Sequence, residues 1–96
     1  MDRWKGSINR GEGGWTWVVS SKLTTDEAED VAREYASVMF RQGVAVDVLR
    51  GNSSGQVRYR IGVGQFQNKD AAQAARQQFN TIYPSDAWLL QIKSDM

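Results

Sequence analysis

The chain contains no cysteine and no histidine among its 96 residues. It can therefore form no disulfide framework, thiol nucleophile, imidazole base or ordinary zinc site. Most familiar catalytic constellations are excluded by these two absences. We expect no catalytic residue, no metal and no cofactor, and we predict that the chain is not an enzyme.

The chain also lacks an excess of charge of either sign, because its formal net charge is +1. Nucleic-acid backbones and anionic membranes usually select a basic face, so neither is an expected partner. No signal peptide and no long apolar run is present. Any export signal or membrane anchor is expected to lie outside this stretch of sequence.

The length and the 41% hydrophobic content suit one compact domain with one core. Residues 1–14 mix charges with four glycines and show no apolar periodicity, which is typical of a flexible linker. We therefore predict a linker over residues 1–14 and a domain over residues 15–96. A monomer is expected.

The pattern from residue 15 onward predicts two β-α-β halves. Alternating aromatic and β-branched residues indicate strands, and Thr24 and Asn68 are suitable helix caps. A polar, glycine-rich loop over Gly51–Gly55 indicates a hairpin between the two middle strands. The predicted elements are a strand over 15–20, a helix over 25–42, strands over 44–50 and 56–64, a second helix from Asn68 to the segment before Pro84, and a strand over 87–93.

The fold class predicted from this order is α+β, a βαββαβ sandwich of the ferredoxin or RNP type. Its four-stranded antiparallel sheet carries both helices on one face, and the other face is open to solvent. Alternation in the first strand directs Trp15, Trp17 and Val19 inward. The predicted outward residues are Thr16, Val18 and Ser20 in the first strand, and Arg58, Arg60, Gly62 and Gly64 in the third.

Two segments carry a resemblance to a known family. Tyr59-Arg-Ile-Gly-Val-Gly-Gln-Phe66 is similar to the aromatic-Arg-Val-x-Val-Gly-Pro-Phe signature of the SPOR domain. Trp15-Thr-Trp-Val-Val-Ser-Ser21 resembles that family's aromatic-x-Val-Gln-Val-Gly-Ser strand. The order and spacing of these segments extend the similarity from Trp15 to Lys93. The family's strand-one Gln and Gly are Val18 and Ser20 here, and its turn Pro is Gln65.

The resemblance implies non-catalytic binding of peptidoglycan glycan strands, preferentially those that lack stem peptides. It also implies a place in the bacterial cell envelope, in the periplasm or cell wall, with targeting of the parent protein to the wall or division septum. Division or cell-wall proteins are further partners that it suggests. The glycan-binding positions that it implies are Val18, Ser20, Ser21, Arg58, Arg60, Gly62 and Trp88.

Five of these positions have a structural alternative. Arg58 and Arg60 could donate to sugar oxygens or to a lactyl carboxylate, or could form a solvated face. Ser21 could bind ligand or assist the turn, and Gly62 could form a shallow groove or mark a bulge. The phase of the last strand leaves Trp88 either buried or outward, and the family pattern favours exposure.

Two other functions fit the same fold. One is a protein-interaction module without glycan affinity, which the replacement of Gln by Val18 keeps open. The other is an RNP-like RNA-binding domain, which stacks bases on aromatics of the first and third strands. The outward positions of the third strand include no aromatic residue, so the RNA interpretation is the weaker one.

Overall fold

A computed structural model of the protein describes residues 6–39 and 42–93. After a short 3₁₀ turn at Arg10–Glu12, two helices and four strands follow in the order β-α-β-β-α-β. They are β1 (Trp15–Lys22), α1 (Thr25–Met39), β2 (Val46–Ser53), β3 (Gln56–Phe66), α2 (Lys69–Gln78) and β4 (Trp88–Gln91).

The four strands form one antiparallel sheet in the order β2-β3-β1-β4. Both helices pack on one face, where Ala28, Ala32 and Ala72 join the inward side chains of the sheet in the main core. The buried indole of Trp17 donates from Nε1 to the Ala72 carbonyl at 2.8 Å and so ties β1 to α2. The predicted α+β fold class, with two helices on one face of a four-stranded sheet, is confirmed.

The helix starts follow the predicted caps. The Thr24 hydroxyl accepts from Glu27 N–H at 3.3 Å, and the Asn68 side chain accepts from Ala71 N–H at 2.8 Å. Helix α2 ends at Gln78, earlier than predicted, because Phe79 leaves helical dihedral angles. The predicted end of the first helix at Gln42 cannot be compared, because residues 40–41 lie outside the described residues.

The β2–β3 hairpin is tighter than predicted. The ladder continues to Ser53 opposite Gln56, so the turn consists of Ser54 and Gly55 alone. Both have positive φ, 53° and 80°, as a two-residue hairpin turn of the primed type requires. The predicted loop over 51–55 is therefore mostly strand, which carries polar side chains of the hairpin onto the sheet.

A bulge in β1 changes which face its last residues occupy. Val18 lies opposite Gly62, but the register shifts so that Ser20 lies opposite Ile61 and Ser21 opposite Arg60. Ile61 is a core residue on the helix side. The prediction that Ser20 faces outward with Val18 is therefore wrong, because the extra residue of a bulge reverses the alternation.

Residues 6–14 do not behave as the free linker that the sequence pattern predicts. This segment, which we call the N-terminal strap, lies against the open face at the end where β1 begins. Ile8 is 6% exposed and packs with Leu49 and Ile92 in a second, smaller cluster. Residues 1–5 lie outside the described residues, and the domain boundary at residue 15 stays a prediction.

Hydrogen bonds hold the strap near its beginning, at Ser7, and farther along, at Asn9 and Gly13. Ser7 N–H donates to the Val46 carbonyl at 3.1 Å. The Gln65 amide donates to the Asn9 and Gly13 carbonyls at 2.7 and 2.8 Å, and its oxygen accepts from Asn9 N–H at 2.9 Å. The strap therefore covers one end of the open face and leaves the opposite end free.

Asp47 is the only buried acidic side chain among the described residues. Burial raises its pKa, while the Val48 N–H bond and the Arg10 guanidinium, 3.5 Å away, act in the opposite direction. Arg10 belongs to the strap, so this ion pair is a further contact between the strap and β2.

Candidate functional site

The free end of the open face carries a groove of about 430 Å³ beside the β2–β3 hairpin. It lies where β1 and β2 end and where β3 and β4 begin, so all four strands contribute to it. The residues that line it are Ser21, Ser53, Ser54, Gln56, Arg58, Arg60 and Trp88. Four of these, Ser21, Arg58, Arg60 and Trp88, belong to the set predicted from the sequence.

Trp88 is the aromatic surface of the groove. It is 44% exposed and lies opposite Val18 at the start of β4, on the face away from the helices. The Arg60 guanidinium carbon lies 5.2 Å from the centre of its ring, in cation–π range. The two orientations that the sequence left open for Trp88 are thereby resolved in favour of the exposed one.

Arg60 is held from the opposite side by β2. Its Nη2 donates to the Asn52 carbonyl at 3.5 Å, a long hydrogen bond. A guanidinium carries five N–H donors in a planar fork, so most of its donors remain available beyond this bond. Arg60 is therefore positioned between the Trp88 ring and the β2 backbone and retains N–H donors that could bind a ligand.

Arg58 and Ser21 form the second polar pair of the groove. The Arg58 Nε donates to the Ser21 hydroxyl at 3.1 Å, a contact between β3 and the end of β1. This bond leaves the two terminal nitrogens of Arg58 for other acceptors. The β1 bulge is what brings Ser21 onto this face, because it places Ser21 rather than Ser20 beside Arg60.

The groove carries uncompensated positive charge. The lining named above contains two guanidinium groups and no carboxylate. Within residues 6–39 and 42–93, neither Arg58 nor Arg60 takes part in an ion pair. An anionic group that enters the groove would find charged donors that are not already neutralised.

Three predicted site residues do not line the groove. Val18 is 2% exposed and Gly62 is also buried, so neither offers a surface to a ligand. A Cβ at Gly62 would lie 2.9 Å from the Thr16 hydroxyl, so this glycine serves close packing inside the sheet face. Ser20 lies opposite Ile61, away from the groove.

The sequence interpretation missed the contribution of the hairpin. Ser53, Ser54 and Gln56 line the groove together with the predicted residues. Their polar character is visible in the sequence, but the prediction placed Ser53 and Ser54 in a loop and Gln56 at the start of the third strand, and it assigned none of the three to the site. Their position in the sequence could have indicated this role, because Ser53, Ser54 and Gln56 lie at the hairpin end of β2 and β3, next to the predicted arginines.

A second cavity, of about 600 Å³, lies at the strap end of the domain. Its lining consists of Glu12, Gly13, Gly14, Gln65, Phe66 and Gln67. Although it is larger, it contains one carboxylate and no basic side chain, and its Gln65 already bonds the strap. The hairpin groove is therefore the better candidate for ligand binding.

The family model described as the SPOR domain matches residues 27–91. The chain belongs to the SPOR family. SPOR domains are known for binding peptidoglycan and occur in proteins of the cell envelope. No curated protein and no solved structure matches this SPOR domain.

Two features are absent from the described part of this SPOR domain. None of its helices there is long and apolar enough to cross a membrane. The same residues contain no cluster of three or more acidic side chains suited to a metal ion.

Proposed function

We propose that this SPOR domain binds peptidoglycan glycan strands without catalysis, and prefers strands that lack stem peptides. Binding would target the parent protein to the cell wall or the division septum. The observation that carries the proposal is the hairpin groove, in which an exposed tryptophan and two unneutralised arginines lie together on the free end of the sheet.

Trp88 supplies the contact surface for sugar rings. Sugars present flat faces of C–H groups that stack on aromatic rings, and indole offers the largest such surface among side chains. The Arg60 guanidinium lies over this ring, 5.2 Å from its centre, so a sugar that contacts Trp88 would lie beside a charged donor. The hydroxyls of Ser53 and Ser54 and the amide of Gln56 surround the platform with partners for sugar hydroxyl and acetamido groups.

The two arginines supply the preference for strands without stem peptides. In intact peptidoglycan the lactyl carboxyl group is bonded to the stem peptide as an amide and carries no charge. Removal of the peptide leaves a free carboxylate. Charge-assisted bonds from guanidinium to carboxylate are roughly twice as strong as neutral ones, so Arg58 and Arg60 favour the stripped strand.

The composition of the groove also supports binding without hydrolysis. Glycoside hydrolysis ordinarily requires a pair of carboxyl groups that flank the scissile bond. The residues that line the described groove include none. The same face lacks the exposed aromatics on β1 and β3 that an RNA-binding sheet uses, since Trp88 lies on the edge strand β4.

Co-sedimentation with purified sacculi tests the proposal. We expect the domain to be enriched on wall treated with an amidase that removes stem peptides, relative to intact wall. Arg60→Ala should weaken that binding about 10-fold, because it removes a charged donor to the carboxylate. Trp88→Ala should weaken binding to both walls, because it removes the stacking surface.

Arg50→Ala is the matched control. Arg50 is exposed on β2 and lies opposite Tyr59, which packs against the helix-side core, so it is outside the groove. The substitution makes the same charge change as Arg60→Ala and should leave binding unaltered. If a folded sample binds neither wall, the glycan proposal is contradicted and a protein partner becomes the better hypothesis.

A further inference from the structure

We propose that Gly51 is a positioning residue for the glycan site. Its missing side chain leaves the space in which the Arg60 guanidinium lies against Trp88. The inference rests on the proposed function for its effect on binding, but its geometric part can be tested separately. Gly51 does not line the groove and contacts no ligand in this proposal.

The first observation is the crowding around Gly51. A Cβ at this position would overlap Arg60 Nη1 and would lie 2.6 Å from Cζ and 3.1 Å from Nε. Real Cβ atoms essentially never approach another heavy atom closer than 3.0 Å. The present position of the guanidinium is therefore compatible with glycine and with no other residue at position 51.

The second observation is that the backbone does not require glycine there. Gly55, in the turn of the same hairpin, has a φ of 80°, in the region that side chains disfavour. Gly51 is not among the described glycines with positive φ, and it pairs regularly with Arg58 in the β2–β3 ladder. Since glycine weakens a strand interior, its presence points to a close approach by another group.

The group that approaches is the far end of a flexible side chain. Alanine at position 51 should therefore displace the guanidinium and leave the backbone in place. The displaced Arg60 would lose both the bond to the Asn52 carbonyl and its position 5.2 Å from the Trp88 ring centre. Gly51 thus fixes where one of the two charged donors of the groove points.

Side-chain NMR of Arg60 tests the geometry without any ligand. In the unsubstituted domain, the indole ring current should shift the Arg60 side-chain resonances, and Trp88→Ala should abolish that shift. We expect Gly51→Ala to move these resonances toward their positions in Trp88→Ala. Gly11→Ala is the control, because it makes the same change in the strap, where the nearest atom is Asn9 Oδ1 at 3.3 Å. Unaltered Arg60 resonances in Gly51→Ala would overturn the proposal.

A double-substitution cycle tests the consequence for binding. On amidase-treated sacculi, Gly51→Ala should weaken binding about 3-fold, the scale of a lost cation–π contact. In an Arg60→Ala background it should have no further effect, whereas an equal further loss would contradict a role through Arg60. If the unsubstituted domain binds no wall, the proposed function fails, and the NMR comparison still decides whether Gly51 positions Arg60.

Discussion

Thr16 is a fully buried polar residue in β1 whose hydroxyl has no hydrogen-bond partner among the described residues. It packs close to Gly62 and so lies inside the sheet face, between the strap and the groove. A buried hydroxyl without a partner costs about 1–3 kcal/mol of folding free energy relative to a paired or apolar group. Thr16 is therefore a position at which the domain can be stabilised.

Thr16→Val should raise the free energy of unfolding by about 1 kcal/mol, because a methyl group replaces the unpaired hydroxyl at similar size. Urea denaturation measures the change. Thr24→Val is a control for which the opposite effect is expected. Because the Thr24 hydroxyl caps α1, this substitution should lower the free energy of unfolding by about 1 kcal/mol. A destabilised Thr16→Val would show that the hydroxyl is satisfied after all.

Two departures from the family pattern have structural explanations. Val18, in place of the family's Gln, is almost fully buried opposite Gly62, so an apolar side chain suits its environment. Gln65, in place of the turn Pro, bonds the strap through both its amide nitrogen and its oxygen. The sequence showed these departures, but their partners lie 56 or 44 positions away and could not be inferred locally.

The strap is the element that the sequence did not predict. Its apolar content in the described part is Ile8 alone, and its glycines and charges match those of a linker. Its order comes from tertiary contacts, namely burial of Ile8 against Leu49 and the three hydrogen bonds of Gln65. Local patterns carry no information about such contacts.

Ile8→Ala should loosen the strap and lower the free energy of unfolding by about 2 kcal/mol, because it removes most of a buried aliphatic side chain. Hydrogen exchange should show the Ser7 amide, which donates to Val46, exchanging faster. Leu23→Ala is the control, since Leu23 is 51% exposed and its loss should matter little. Unchanged exchange at Ser7 would mean that Ile8 does not hold the strap.

The positions of the helices and strands were largely predictable from the sequence. The face of the sheet on which each strand residue lies was not predictable in every case. Thr24 and Asn68 identify both helix starts through cap chemistry that is local in sequence. Strand alternation gave the orientation of Arg58 and Arg60 correctly, because β3 is regular in that part. Strand alternation gave the wrong face for Ser20, because the β1 bulge shifts the register there and no residue type in the sequence indicates that bulge.

The sheet separates two surfaces of the domain. The helix side holds the main core, and the opposite side is divided between the strap at one end and the groove at the other.

Tyr83 links the chain after α2 to the main core, because its buried hydroxyl donates to the Val63 carbonyl at 3.3 Å. Burial raises the pKa of Tyr83 to about 12, from an ordinary value near 10.

The raised pKa predicts an alkaline loss of stability. The folded state holds the Tyr83 proton more tightly than the unfolded state, so its contribution is complete below pH 10 and is lost as the pH rises toward 12. Relative to Tyr83→Phe, the domain should lose about 2 kcal/mol of unfolding free energy across this interval. Denaturation of both proteins at several pH values measures the difference, and a constant difference would contradict the burial argument.

Binding of the stripped glycan strand in the hairpin groove is the main proposal for this domain. An NMR titration of the domain with glycan oligosaccharides that carry free lactyl carboxylates tests this binding. We predict that chemical shifts change at Ser21, Arg58, Arg60 and Trp88, and that the strap residues stay unperturbed. Changes confined to the strap end, or no changes at saturating oligosaccharide, would contradict the claim.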